Sequence, residues 1–149
     1  YLSMTIAAFA CLIMLRKGEK EFETLSDFSG LSTTHPRMAF AMAVLMLSMA
    51  GIPPLAGFFA KLYVLLPAVH KELYGLAIIA VISSVIAAFY YIKVVKIMYF
   101  EEDAKDSVML STLALRAIVL VSVVFNLFFI FAPSPFLQLA ESAVEIFFG

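Results

Sequence analysis

Residues 38–70 read MAFAMAVLMLSMAGIPPLAGFFAKLYVLLPAVH and contain one charged side chain, that of Lys61. As a continuous α-helix this run would be about 50 Å long, whereas the hydrocarbon core of a bilayer is only about 30 Å thick. Four helix-breaking residues occupy its middle: Gly51, Pro53, Pro54 and Gly57. We therefore predict one broken span, in which an unwound segment inside the membrane joins two half-helices and the second begins near Ala56.

The composition of the rest of the chain is that of a polytopic membrane protein. Hydrophobic residues make up 64% of the sequence, charged residues 14%, and the mean hydropathy is +1.04, which excludes a soluble globular domain. The apolar runs are residues 1–15, 38–70, 73–99 and 108–132. Because the chain starts at Tyr1 without a signal peptide, we interpret the first run as a truncated span. We expect the 149 residues to be the C-terminal part of one membrane domain of a longer protein.

A proline-containing stop after the last span precedes a different kind of segment. Within residues 136–148, helical spacing places polar side chains on one face and apolar side chains on the other. This tail is therefore predicted to be an amphipathic helix at the interface or against a neighbouring subunit. The predicted fold class is therefore all-α. It is a transmembrane helix bundle with one broken helix and a C-terminal amphipathic helix.

The supply of metal-ligating and thiol side chains is small. The sequence has one cysteine, Cys11, and two histidines, His35 and His70, without the spacing of a zinc, haem or iron–sulfur site. It also has no glycine-rich nucleotide-binding motif. We expect no cofactor, no metal and no redox centre in this chain, and we expect its partners to be the lipid bilayer and other membrane proteins rather than nucleic acid.

The positive charges are distributed unequally between the two sides of the predicted bundle. If residues 38–70 cross the membrane once, one side receives seven basic residues and the other receives only Lys71. The seven are Arg16, Lys17, Lys20, Arg37, Lys93, Lys96 and Lys105. The positive-inside rule then places this side in the cytoplasm and the C-terminus on the outer side.

Lys61 is the candidate functional residue of the broken span. It lies ten residues before Lys71, about 15 Å along a helix, so its side chain cannot reach the outer interface by snorkelling. A lysine at mid-membrane costs on the order of 2.5–3.5 kcal/mol, a cost that is tolerated mostly for function. We expect carbonyl groups freed near residues 49–51 to hold water, and we predict that Lys61 is a proton relay.

Other polar residues in the spans are interpreted as helix-packing and hydrogen-bonding positions rather than as ligands. They are Ser48, Ser83, Ser84, Ser122 and Asn126.

The sequence GIPPLAGFFAK over residues 51–61, followed by LYVL, resembles the broken-helix motif of the antiporter-like membrane subunits of respiratory complex I. Together with FYYIKVVKIMYF over residues 89–100, it is most similar to subunit N, the counterpart of mitochondrial subunit 2. The resemblance implies the C-terminal portion of a fourteen-helix bundle with inverted repeats, in which the broken span is the twelfth. It also implies that Lys61 is a protonatable residue near the outer exit.

Three functions remain open at this point. The first is a proton-translocating subunit of NADH:quinone oxidoreductase in a bacterial inner membrane, in contact with other subunits and with quinone only through the whole complex. The second is a subunit of a multisubunit sodium/proton antiporter, whose sequences carry a similar G-x-P-P-x-x-G-F-x-x-K. The third is a structural membrane subunit in which Lys61 is paired and inert.

Overall fold

The computed structural model describes residues 1–17, 20–21, 23–101, 107–109 and 112–129 of the chain. This part is mostly helical, and its six α-helices are α1 (Leu2–Met14), α2 (Leu31–Thr34), α3 (Pro36–Ala50), α4 (Ala56–His70), α5 (Tyr74–Phe100) and α6 (Leu113–Phe128). One turn of 3₁₀-helix covers Leu25–Phe28. Three short strands complete the elements: β1 (Leu15–Lys17), β2 (Lys20–Glu21) and β3 (Ser107–Met109). The predicted amphipathic tail, residues 136–148, lies outside the described residues.

Helix α3 lies at the centre of the bundle. It starts with Pro36 in its first turn, where the missing N–H is not needed, and most of its side chains are buried. Helices α1, α5 and α6 all pack against it. The face that α1 contributes to the core consists mainly of small residues, among them Ala7, Ala10 and Cys11. Small side chains allow the backbones of neighbouring apolar helices to approach closely.

Helix α5 is the long helix on the outside of the described part. Its buried side chains are confined to Ala77 near one end and to Ile97 and Met98 near the other. Among the described residues, α5 is the one helix whose length and apolar composition suffice by themselves to cross a membrane. Helices α3 and α4 have 15 residues each, so each is too short to cross alone.

The loops that follow α1 and α5 meet at one end of the bundle. Strand β1 pairs antiparallel with β3, with Leu15 opposite Met109. The Ser29 hydroxyl donates a hydrogen bond of 3.4 Å to the Glu101 carboxylate at the end of α5. Since α3 starts and α5 ends here, the turn between α4 and α5 lies at the opposite end. Helices α3 and α4 in series, about 45 Å of helix, thus run alongside α5, which is about 40 Å long.

The small sheet departs from the purely helical fold class predicted above. Strands β2, β1 and β3 form it in that order, and the sequence gives no alternating pattern strong enough to predict it. As a consequence α6 begins at Leu113, whereas the last span was predicted to begin at residue 108. Residues 107–109 pair with β1 through their backbone, and Thr112 then caps α6 by accepting a hydrogen bond of 3.4 Å from the N–H of Leu115.

Candidate functional site

The segment between α3 and α4 covers residues 51–55. Gly51 ends α3 in the left-handed conformation with φ of +85°, and its N–H bonds to the carbonyl of Ser48 at 2.9 Å. The N–H of Ile52 bonds to the carbonyl of Leu47 at 3.2 Å, so the chain turns out of the helix in the manner of a Schellman cap. The two prolines that follow, Pro53 and Pro54, are exposed and have no N–H to donate.

Every one of the last four carbonyl groups of α3 has a protein partner. The carbonyls of Leu47 and Ser48 accept from the two backbone N–H groups that follow the helix. The carbonyl of Met49 accepts from the Tyr1 hydroxyl at 3.4 Å, and the carbonyl of Ala50 accepts from Lys61 Nζ at 2.9 Å. The carbonyls of Met49 and Ala50 are therefore not free, contrary to expectation, because the side chains of Tyr1 and Lys61 bind them; that carbonyls near residues 49–51 hold water stays a prediction.

Lys61 lies in the second turn of α4, and its side chain runs back to the end of α3. The C-terminal end of a helix carries partial negative charge, so the ammonium group meets a favourable electrostatic environment there. The side chain is half-buried, and its recorded partner within the described part of the chain is a carbonyl rather than a carboxylate.

Gly51 is held to glycine by two separate requirements. Its positive φ is strained for any residue with a Cβ. In addition, a Cβ at this position would lie 3.0 Å from Cδ and 3.2 Å from Nζ of Lys61, because the lysine side chain lies directly over the glycine. The absence of a side chain at Gly51 therefore opens the route by which Lys61 reaches Ala50.

Gly57 lies directly against the backbone of α3. A Cβ built on it would lie 1.8 Å from the backbone oxygen of Ser48, so no other residue fits while α4 keeps this position. The N–H of Gly57 donates a hydrogen bond of 3.1 Å to the Ser48 hydroxyl. This N–H belongs to the first turn of α4 and has no acceptor within its own helix.

A third helix joins this arrangement through Asn126 of α6. The Ser48 hydroxyl donates to Asn126 Oδ1 at 2.8 Å, and Asn126 Nδ2 donates to the backbone carbonyl of Ser122 at 2.8 Å. Ser48 and Asn126 are both fully buried. The interpretation of Ser48, Ser122 and Asn126 as packing and hydrogen-bonding positions between helices agrees with these contacts.

The five residues singled out from the sequence thus fall into two groups. Lys61, Gly51 and Gly57 are in direct contact with the end of α3, whereas Pro53 and Pro54 lie in the exposed connection. Tyr1 and the Ser48–Asn126 pair were not predicted as part of the site. Asn126 offered the best available signal, since it is the only asparagine of the chain and lies within an apolar run.

Comparison with known protein families shows which family the chain belongs to. Residues 1–87 match the family described as NADH:quinone oxidoreductase/Mrp antiporter, TM. This match covers more than half of the chain, including α1 to α4 and therefore Lys61 and both glycines. The chain belongs to this family. Its membrane location follows, and the resemblance to antiporter-like membrane subunits of complex I is confirmed.

Individual proteins similar to the chain bear the same subunit name. NADH-quinone oxidoreductase subunit N of Parvibaculum lavamentivorans is 45% identical over 145 residues, and that of Methylobacterium nodulans is 46% identical over 148 residues. These alignments cover 97% and 99% of the chain but 30% of each relative. The chain thus spans about a third of the length of the curated relatives it matches.

A solved structure is similar over most of the chain as well. A chain of respiratory complex I from Thermus thermophilus with bound Aureothin superimposes with a TM-score of 0.76 at 27% sequence identity. The superposition covers 89% of this chain and 30% of the Thermus chain. The bundle described above therefore has the fold of part of a chain of that respiratory complex I.

Proposed function

We propose that this chain is part of a proton-translocating membrane subunit of NADH:quinone oxidoreductase, that Lys61 is its proton relay, and that the chain has no redox centre of its own. The observation that carries the proposal is the position of Lys61. Its ammonium group meets the carbonyl end of α3 at the interruption between two short apolar helices. An ionisable group at such an interruption is typical of ion pathways in membrane transporters.

Helices α3 and α4 together form one broken crossing of the membrane in this proposal. Each has 15 residues, and in series they match the length of α5, which is long enough to cross by itself. The caps from Lys61, Ser48 and the following backbone satisfy polar groups at the helix ends on either side of the unwound residues 51–55, which hydrocarbon could not do.

The orientation of the crossing follows from the charges at the two ends. The end that holds β1, the loop before α3 and the end of α5 corresponds to the side with seven basic residues, so we assign it to the cytoplasm of a bacterial inner membrane. The C-terminus then lies on the outer side. The partners in this proposal are lipid and the other membrane subunits of the complex, with quinone reached only through the whole complex.

Lys61→Met tests the relay in the assembled complex. Methionine has a similar length but cannot carry a proton, so we expect NADH:quinone electron transfer to persist while fewer protons are moved per electron pair. The measurement is acidification of inverted membrane vesicles together with the rate of NADH oxidation. Wild-type proton movement in the Lys61→Met complex, at wild-type abundance, would overturn the relay.

A second candidate is favoured by the same hydrogen bond. A lysine that donates to the last carbonyl of a helix also acts as a structural cap. In that case Lys61→Met lowers the abundance or thermal stability of the complex and leaves the proton stoichiometry of the remaining complex unchanged. A sodium gradient distinguishes the complex I subunit from a sodium/proton antiporter subunit. Only in an antiporter would proton movement in the same vesicles depend on that gradient.

A further inference from the structure

The two helices of the interruption cap each other. The side chain of Lys61 in α4 binds the last carbonyl of α3, while the side chain of Ser48 in α3 binds a first-turn N–H of α4, that of Gly57. Gly57 and Lys61 are four residues apart, so they lie on the same face of α4. The contact at Gly57 therefore determines where Lys61 stands relative to Ala50.

The Ser48 hydroxyl has a second bond that leads away from the interruption. As one hydroxyl group it accepts from Gly57 and donates to Asn126 Oδ1, so its hydrogen atom and one lone pair are both used. The Asn126 amide is held at both ends, because its Nδ2 donates to the carbonyl of Ser122 one turn earlier in α6. The orientation of the hydroxyl, and with it the cap on α4, thus depends on α6.

The burial of Asn126 indicates that its hydrogen bond with the Ser48 hydroxyl is important for the structure. Its side chain is fully buried in a helix whose flanking residues are apolar and mostly exposed, such as Val124 and Phe128. A buried amide within an apolar helix is costly unless each polar atom finds a partner, and an aliphatic side chain would fill the space without that requirement.

We propose that Asn126 is a positioning residue for Lys61: through the Ser48 hydroxyl it holds Gly57, and thereby sets the position from which the lysine reaches Ala50. The last described helix, α6, is on this basis part of the proton site although it contributes no group that carries a proton. This inference rests on the proposed function, because a positioning role matters for transport only if Lys61 is the relay.

The geometric half of the proposal can be tested without reference to transport. In the complete complex, Asn126→Leu removes both amide bonds while keeping a side chain of similar size. We expect the Gly57 amide to exchange hydrogen for deuterium about tenfold faster, a factor that corresponds to about 1.4 kcal/mol, within the usual range for one buried hydrogen bond. The measurement is mass spectrometry of peptides covering residues 48–62.

Three companion variants control this measurement. Ser48→Ala removes the same cap from the α3 side and should accelerate Gly57 exchange even if Asn126→Leu fails to assemble. Ser83→Ala removes a hydroxyl that, among the described residues, bonds to the carbonyl of Ile79 in its own exposed helix, so it should not change Gly57 exchange. Asn126→Asp keeps the Oδ1 acceptor for Ser48 and should restore slow exchange. Unchanged exchange in an assembled Asn126→Leu complex, or in Ser48→Ala, would overturn the proposal.

The proposed effect of Asn126 on transport is tested by measuring proton pumping per assembled complex as a function of pH. A positioning role predicts that Asn126→Leu shifts the pH at which pumping is half-maximal, whereas a merely structural role lowers abundance and leaves that pH unchanged. If Gly57 exchanges faster but the pH profile stays that of the wild type, the positioning role is overturned. Lys61→Met measured in parallel separates the two failures, since normal pumping in that variant contradicts the proposed function itself.

Discussion

The site around Lys61 depends on the positive charge of the lysine and on the missing side chains of Gly51 and Gly57. The lysine side chain crosses the surface of Gly51 to reach a carbonyl 2.9 Å away, and Gly57 lets the start of α4 rest on the backbone of Ser48. At the residue scale, two sets of substitutions separate the chemistry of the ammonium group from the steric role of the glycines.

The first prediction concerns Lys61→Arg. Arginine keeps the positive charge and can still donate to the Ala50 carbonyl, but the pKa of its guanidinium group lies far above that of a lysine in such a site, so it does not release a proton under cellular conditions. If Lys61 is a relay, proton pumping per complex falls to the level of the Lys61→Met variant. Pumping at the wild-type level in the Arg variant, with matched membrane abundance, would indicate a structural cap instead.

The second prediction concerns Gly57→Ala, compared with alanine at two other glycines. At Gly57 the new Cβ meets a backbone oxygen, so α3 and α4 must separate at a cost of about 3 kcal/mol. Gly51→Ala forces a left-handed alanine and costs about 1–2 kcal/mol. Gly75→Ala, in the first turn of α5 with open space around it, should stay within about 0.5 kcal/mol of the wild type.

Thermal denaturation of the purified complex, with immunoblotting of membranes for abundance, gives the order of the three variants. We expect Gly57→Ala to be the most destabilised, then Gly51→Ala, then Gly75→Ala. Equal stability of Gly57→Ala and Gly75→Ala would contradict the close approach of the two helices.

At the scale of elements, the interruption between α3 and α4 is maintained by two prolines and by hydrogen bonds at the facing helix ends. The prolines prevent helical hydrogen bonding across residues 53–54, and the reciprocal contacts of Ser48 and Lys61 supply partners that a continuous helix would supply internally. Their joint effect is a pair of facing helix ends within an apolar environment.

The third prediction is that replacing Pro53 and Pro54 together by alanine lowers proton pumping while the complex still assembles. A proline in a helix interior costs about 3 kcal/mol relative to alanine, so the double variant removes the main penalty against continuous helix through residues 51–56. Continuous helix would separate Lys61 from Ala50. The readout is pumping per electron pair in inverted vesicles.

Pro67→Ala is the matched control for this variant. Pro67 lies inside α4 and is exposed, so alanine there adds an N–H to an existing helix without touching the interruption. It should leave pumping unchanged. If the double proline variant also pumps normally, the interruption is not required for proton movement.

At the scale of the whole molecule, the ends of the bundle differ in charge and in structure. One end carries the strands and the packed loop before α3, while the other carries the turn between α4 and α5. The single crossing by α3 and α4 requires that these ends face opposite sides of the membrane.

The fourth prediction tests that requirement with single cysteines at Ser26 and at His70. Both positions are exposed, whereas Ser29 is buried and unsuitable, and the native Cys11 is buried in α1. A membrane-impermeant thiol reagent should label Cys at position 26 only from the cytoplasmic side and Cys at position 70 only from the outer side. Labelling of both from one side would rule out the single crossing.

Much of the molecule could be predicted from the sequence because the relevant physics is local. The length of an apolar run predicts a membrane helix, and a proline predicts where a helix must end. Accordingly, α3 ends before Pro53 and α4 begins after Pro54. The GIPPLAGFFAK motif led to the family. That α3 and α4 together cross the membrane once, and that Lys61 carries protons, stay predictions.

The partners of the polar groups were decided only by the tertiary structure. Ser48 and Asn126 are 78 residues apart, and Met49 bonds to Tyr1 across 48 residues, so neither contact follows from any periodicity. The pairing of β1 with β3 is similar, because its register depends on where α1 and α5 end in space. Hydropathy determines which segments enter the membrane, whereas the packing of three helices around Gly57 determines which donor meets which acceptor.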